Sequence, residues 1–100
     1  MDPIIEIIGK NIMYNNVYEL GVKNEFINTI NRINYIDRSI EQYRRSMDYI
    51  LLYNTLNEEL KYTIEKKEFF KKNLKKDIKY IMKDFMNNRI FLLHNQIKFI

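Results

Sequence analysis

The stretch between Asn24 and Asn88 contains neither glycine nor proline, and apolar residues recur at helical spacing along almost all of it. Because glycine and proline mark most turns and breaks, such a stretch favours long helices. One unbroken helix would present an apolar face that a chain of 100 residues cannot cover. We therefore predict two long helices folded back on each other, with a turn near Asn54 and Thr55. Thr55 followed three positions later by Glu58 fits the capping box that opens many helices.

The first of these helices carries a heptad pattern that is typical of packed helices. Its two interleaved sets of seven-residue repeats are Phe26, Ile33, Ile40 and Met47, and Thr29, Ile36, Tyr43 and Ile50. Asn24 is a good N-cap, so we predict this helix from Glu25 to Tyr53. The second long helix is predicted from Leu56 to Phe85, followed by a turn at Asn87–Asn88. The residues expected in the core are Ile33, Ile36, Ile40, Leu74, Ile78 and Ile81.

Shorter elements are predicted at both ends of the chain. Asp2 followed by Pro3 is a helix-start signature, and an apolar stripe follows it, so we predict an N-terminal helix from about Pro3 to Tyr14, with a kinked continuation to Leu20 as the alternative. Gly21 is the expected C-terminal stop of this region. The segment Arg89–Ile100 is predicted as a short helix docked on the bundle, and a β-strand is the alternative at each end. The predicted fold is a small all-α bundle in one domain over residues 1–100: an antiparallel hairpin of two long helices with two shorter ones.

Composition and charge narrow the class of protein. The net charge is +4, and Ile, Asn, Lys and Tyr are abundant while Ala is absent, which is typical of an A/T-rich genome such as that of a large DNA virus, a phage or a parasite. The lack of Cys excludes a disulfide framework and a Cys-based zinc site. No apolar run approaches the roughly 18 residues of a membrane span, and no signal peptide is visible. We therefore expect a soluble intracellular protein that does not insert into a membrane.

No set of residues in the sequence points to catalysis. A lone His without Cys leaves no nucleophile and base to pair, and adjacent glutamates diverge around a helix instead of sharing a site. We therefore expect no enzymatic activity, no cofactor and no small-molecule substrate. One motif offers a minor alternative: Arg89 and His94, with four residues between them, resemble the Arg–His motif of HEPN ribonucleases, which are helical bundles that cleave RNA at a dimer interface. The resemblance implies a ribonuclease role for this pair, although Ile90 replaces the polar residue that usually follows the arginine.

The lysines of the predicted second long helix form a candidate nucleic-acid site. At 100° per residue they gather opposite the apolar stripe, with aromatic residues beside them. Ammonium groups neutralise phosphates and aromatic rings stack on bases, so this face suits nucleic acid. Glutamates in the same sector also fit an ordinary solvated face. The residues that would carry nucleic-acid binding are Lys72, Lys76, Lys79 and Lys83.

Apolar residues exceed what the predicted helices can cover among themselves. The N-terminal helix, at roughly 18 Å, is too short to cover the whole hairpin, the segment from Met47 to Tyr53 is apolar on nearly all sides, and the chain ends in an apolar segment. Large exposed apolar patches mark binding sites. We therefore predict a protein-interaction module, such as an assembly subunit, adaptor or inhibitor, that binds another protein or pairs with itself as a two-fold homodimer. The predicted interface residues are Tyr49, Leu52, Tyr53, Phe91, Leu92, Phe99 and Ile100.

Overall fold

Four helices make up most of the chain. The computed structural model describes residues 2–100, and its helices are α1 (Pro3–Tyr14), α2 (Leu20–Arg45), α3 (Tyr49–Asn73) and α4 (Lys76–Lys98). No strand occurs in this described part of the chain, so the all-α bundle is confirmed and the strand alternatives are wrong. α1 has the predicted bounds. Its N-cap, Asp2, accepts a hydrogen bond of 2.9 Å from the backbone N–H of Ile4, and Pro3 opens the helix.

The turn between α2 and α3 lies at Ser46–Asp48, and the prediction of a turn near residues 54 and 55 is wrong. Asp48 is the N-cap of α3, and its carboxylate accepts a hydrogen bond of 3.2 Å from the backbone N–H of Leu51. Met47 takes a left-handed conformation, with a φ of 57°, where the chain reverses. The capping-box pattern at Thr55 misleads because Asp48 already starts the helix about two turns earlier.

The position of this cap can be tested by substitution. Asp48→Ala is expected to lower the free energy of unfolding by about 1 kcal/mol, because an orphan N–H group loses its acceptor and a negative charge leaves the helix N-terminus. Thr55→Ala is the control: Thr55 is half-buried inside α3, and we expect a change within about 0.5 kcal/mol. Urea denaturation of both variants measures the difference. A larger loss for Thr55→Ala would place the cap at Thr55 instead.

A second reversal, at Leu74–Lys75, separates α3 from α4 where the sequence predicted continuous helix. Leu74 is extended, with φ −103° and ψ 150°, and its buried side chain anchors the turn in the core. The pattern passes over this turn because neither glycine nor proline marks it. As a result, α4 is a long helix of 23 residues instead of a short one, and it runs through Asn87–Asn88. α2 also begins earlier than predicted, so Gly21 lies in its first turn and Asn24 is not a cap.

α3 is the central helix, since it packs against α2 on one side and α4 on the other. Both connections reverse the chain, so α2 and α4 run parallel to each other and antiparallel to α3. α1 packs against α2 and α4, at the end of the bundle that holds the α3–α4 turn. We call this the lower end and the end with the α2–α3 turn the upper end. The molecule measures 45 × 22 × 18 Å.

The core consists of two apolar clusters. The lower cluster contains Ile8, Ile12, Tyr18, Val22, Phe26, Phe70, Leu74, Ile78, Met82 and Met86. The upper cluster contains Ile40, Leu52, Leu56 and Leu93. Of the residues predicted in the core, four are buried: Ile33, Ile40, Leu74 and Ile78. Ile36 is half-buried, and the prediction for Ile81 is wrong because 36% of it is exposed.

Candidate protein-binding groove

α1 covers only part of the face that α2 and α4 share. It has 12 residues, whereas α2 has 26 and α4 has 23. Next to the start of α1, at Asp2, the two longer helices border an open groove of about 850 Å³. Its apolar lining residues are Ile4, Ile5, Ile30, Ile33, Ile81, Phe85, Phe91 and Leu92. The groove therefore lies where a full-length fourth helix would complete the bundle.

Two hydrogen bonds between side chains fix the axial alignment of α2 and α4 along the groove. Arg89 Nη1 on α4 donates to Asp37 Oδ1 on α2 at 3.0 Å, and Arg44 Nη2 on α2 donates to Gln96 Oε1 on α4 at 2.9 Å. Both pairs are 52 residues apart in the chain, so the two parallel helices keep the same alignment between them. Both helices are described in full, and no Cα of one lies within 8 Å of a Cα of the other. The walls are thus held apart and linked by long side chains.

The edge of the groove carries an excess of negative charge. Past Arg89 the groove continues into a recess of about 320 Å³ that Ile40 and Leu93 line. The carboxylates along both parts are Asp2, Asp37, Glu41 and Asp84. Two guanidinium groups, those of Arg44 and Arg89, lie among them. Because the chain as a whole has a net charge of +4, this groove is an acidic strip on a basic protein.

A buried ion network adjoins the groove at mid-height. Glu59 of α3 is fully buried, and its carboxylate accepts hydrogen bonds of 2.9 Å from Arg32 Nε of α2 and 2.9 Å from Arg89 Nη2 of α4. Arg89 also binds Asp37, and the guanidinium of Arg32 stacks 4.1 Å from the ring centroid of Tyr62. The network joins all three long helices. Its role is structural, because each of its charges is paired within the fold.

One donor of this network has no acceptor. Arg89 Nε is buried and makes no hydrogen bond to any residue between 2 and 100. The Arg89 side chain is only 11% exposed, so its charge is already used by Glu59 and Asp37. Arg89 therefore adds little free positive charge to the groove, since most of its side chain is buried and its other nitrogens already donate to carboxylates.

The structure divides the predicted interface residues into three groups. Phe91 and Leu92 border the groove and are 64% and 58% exposed. The exposed residues at the upper end are Tyr49, Tyr53, Phe99 and Ile100. Leu52 is fully buried in the upper cluster, so it is not available to a partner, and its prediction as an interface residue is corrected. It points inward because the cap at Asp48 turns this side of α3 towards the core.

Other groove residues were missed by the interface prediction. Ile4, Ile81 and Phe85 were assigned to stripes that helices bury within the fold. The one signal for the groove in the sequence is the shortness of α1, which cannot cover the full length of its longer neighbours. The position of α4 is not predictable from the sequence, because neither glycine nor proline marks the turn at Leu74–Lys75.

The four predicted nucleic-acid residues do not lie on one helix. Lys72 lies in the last turn of α3, Lys76 opens α4, and Lys79 and Lys83 follow on α4. Lys79 is half-buried and the other three are exposed. Lys71 and Lys75 lie in the same turn region, so the lysines are concentrated at the lower end of the bundle.

The structure does not bring Arg89 and His94 to a common site. Arg89 points into the ion network, whereas His94 is exposed. Five positions along a helix rotate a side chain by about 140°, which directs the two to different faces of α4. Within residues 2–100, no cluster of three or more His, Cys, Asp or Glu side chains is arranged to hold a metal ion. In the same range, none of the helices combines the length and apolarity that crossing a membrane requires.

Comparison of the chain with models of protein families, with curated proteins and with solved structures finds no match in any of the three. Function is therefore inferred from the groove and its surroundings alone.

Proposed function

We propose that this protein is a non-enzymatic protein-interaction module, acting as an assembly subunit, adaptor or inhibitor. The observation that carries the proposal is the open apolar groove between α2 and α4. Phe91 and Leu92 on its edge are more than half exposed, although they neighbour residues of the core. Apolar side chains grouped in this way mark binding sites, because water contact with them is unfavourable until a partner covers them.

Comparative affinity purification tests this proposal. The tagged protein is purified from the cells that produce it, and its partners are quantified by mass spectrometry. Phe91→Ser with Leu92→Ser is expected to reduce capture by at least about tenfold, because large apolar side chains that a partner buries can each contribute more than about 1 kcal/mol to binding. The double variant should keep its far-UV circular dichroism spectrum, since both side chains are exposed.

The matched control removes two apolar residues elsewhere that are even more exposed than Phe91 and Leu92. Tyr14 and Leu20 are 83% and 71% exposed and lie outside the groove. The Tyr14→Ser, Leu20→Ser variant is expected to capture the same proteins as the wild type. Unchanged capture by the groove variant would contradict the proposal. Sedimentation equilibrium of the purified protein tests the predicted homodimer, whose contact is predicted at the Tyr49–Tyr53 end and the C-terminal segment.

The second candidate function is nucleic-acid binding, and the concentration of lysines around the α3–α4 turn favours it. Reversing Lys72, Lys76, Lys79 and Lys83 to Glu is expected to leave protein capture intact if the groove carries the function. Phosphate contacts release counterions, so nucleic-acid binding would instead weaken steeply with salt. Tight, salt-sensitive binding of DNA or RNA by the wild type, lost in the reversed variant, would favour this second function.

A further inference from the structure

The groove has the length of a short helix. Along α4 its lining runs from Ile81 to Leu92, beside the start of α1. Over these residues the helix axis advances roughly 16 Å, or about three turns. The groove is therefore long enough for a helix of about three turns, which would lie next to the start of α1 on the same face of the bundle.

The walls of the groove favour a helix over an extended peptide. Both walls are α-helices, whose backbone N–H and C=O groups are bonded within each helix, so neither offers a free strand edge. An extended peptide on the apolar floor would leave many of its own backbone groups without partners, which is unfavourable. A helix satisfies these groups internally and presents a row of side chains to the floor.

The charged residues at the edge of the groove indicate which side chains the flanks of a bound helix should carry. Asp84 on the α4 side forms no ion pair with any residue from 2 to 100. Glu41 on the α2 side lines the adjoining recess and pairs with the exposed Arg45, while Arg44 in that recess donates to the neutral Gln96. Arg89 and Arg32 are together balanced by Glu59 and Asp37. A two-fold pairing of groove against groove would bring these same acids together, so this form of self-pairing is unfavourable.

We propose that the groove binds an amphipathic α-helix of another protein, with an apolar ridge and lysines or arginines along both flanks. This inference rests on the proposed function and names its partner class. The apolar ridge packs on the floor around Ile33 and Phe85, while the basic flanks face Asp84 and Glu41. The expected binding therefore depends on helical spacing and on positive charge together.

Synthetic peptides test the inference directly on the full chain. Two labelled peptides of about 14 residues share one leucine row at helical spacing and differ only in flanks of lysine or glutamate. A third peptide scrambles the lysine version. Fluorescence anisotropy is expected to give a dissociation constant at least tenfold lower for the lysine-flanked peptide than for either other peptide. In amide NMR spectra, the largest shifts are expected between Ile33 and Glu41 and between Asp84 and Leu92.

Charge reversal locates the effect in the groove. Glu41→Lys with Asp84→Lys is expected to weaken binding of the lysine-flanked peptide at least tenfold and to strengthen binding of the glutamate-flanked one. Glu58→Lys with Glu65→Lys is the control, because both glutamates are exposed on α3 and the net charge changes equally. This control is expected to change neither dissociation constant by more than twofold.

Four results would overturn the inference. The first is that the glutamate-flanked peptide binds as tightly as the lysine-flanked one or more tightly, and the second is that the two charge-reversed variants change binding equally. The third is that neither peptide binds, and the fourth is a homodimer that dissociates in the Phe91→Ser, Leu92→Ser variant. None of them decides the proposed function, which depends on whether that same variant loses captured proteins. Loss of capture without peptide binding would keep a protein partner and reject the basic helix.

Discussion

Glu59→Ala is expected to lower the free energy of unfolding by about 3–5 kcal/mol, a large share of the roughly 5–15 kcal/mol that stabilises a small domain. Glu59 is fully buried and is the acceptor for Arg32 and Arg89. Its removal leaves the guanidinium of Arg89, which is 11% exposed, without its buried partner. Urea denaturation followed by far-UV circular dichroism measures the loss.

Two comparisons separate the lost charge from the lost volume. Glu58→Ala removes the neighbouring exposed glutamate and is expected to change stability by less than about 0.5 kcal/mol. Replacing Arg32, Glu59 and Arg89 together by Leu, Leu and Met is expected to restore most of the stability, because well-packed apolar groups often replace buried ion pairs without loss. If Glu59→Ala proved as mild as Glu58→Ala, the network would contribute nothing to folding.

Phe70→Ala is expected to be comparably destabilising, by about 3–5 kcal/mol. Phe70 is 1% exposed in the lower cluster, and its ring meets that of Phe69 edge-on with a centroid distance of 5.3 Å. Truncation removes this apolar contact area and leaves a cavity between α3 and its neighbours. Thermal unfolding and urea denaturation both report the change.

The control for this prediction is the same truncation at an exposed site. Phe99 is 79% exposed beyond the end of α4, so Phe99→Ala is expected to change stability by less than about 0.5 kcal/mol. A comparable loss at Phe99 in a monomer would mean that the C-terminus is packed in solution. A small loss at Phe70 would mean that the lower cluster relaxes around the cavity.

Local signals in the sequence predicted the fold where they were sufficient. Asp2 and Pro3 predict correctly that a helix begins at this point, because capping depends on only a few neighbouring residues. The heptad positions Phe26, Ile33 and Ile40 are buried as the spacing predicts. The turn at Leu74–Lys75 was missed because it depends on burying a leucine in the core, and no local residue type marks it.

The sequence does not predict a groove between α2 and α4. It predicts that α1 is too short to cover its neighbours and that Phe91 and Leu92 are interface residues, and the structure shows these two bordering the groove. The sequence does not predict the ion network, because charged residues are rarely buried unless they are paired, and no local pattern marks the pairing. Their pairing exists only once α2, α3 and α4 meet at one height, which is a property of the tertiary arrangement.

The buried network has a consequence for how the helices are aligned. Apolar rows tolerate a slip of one helix along another, since a shift of about 5.4 Å places similar side chains opposite each other again. The same slip would separate Glu59 from both Arg32 and Arg89 and leave buried charges unpaired. The buried contacts of Glu59 with Arg32 and Arg89 thus disfavour competing alignments more strongly than they stabilise the native one. The all-apolar replacement is accordingly expected to fold stably but to populate more than one axial arrangement.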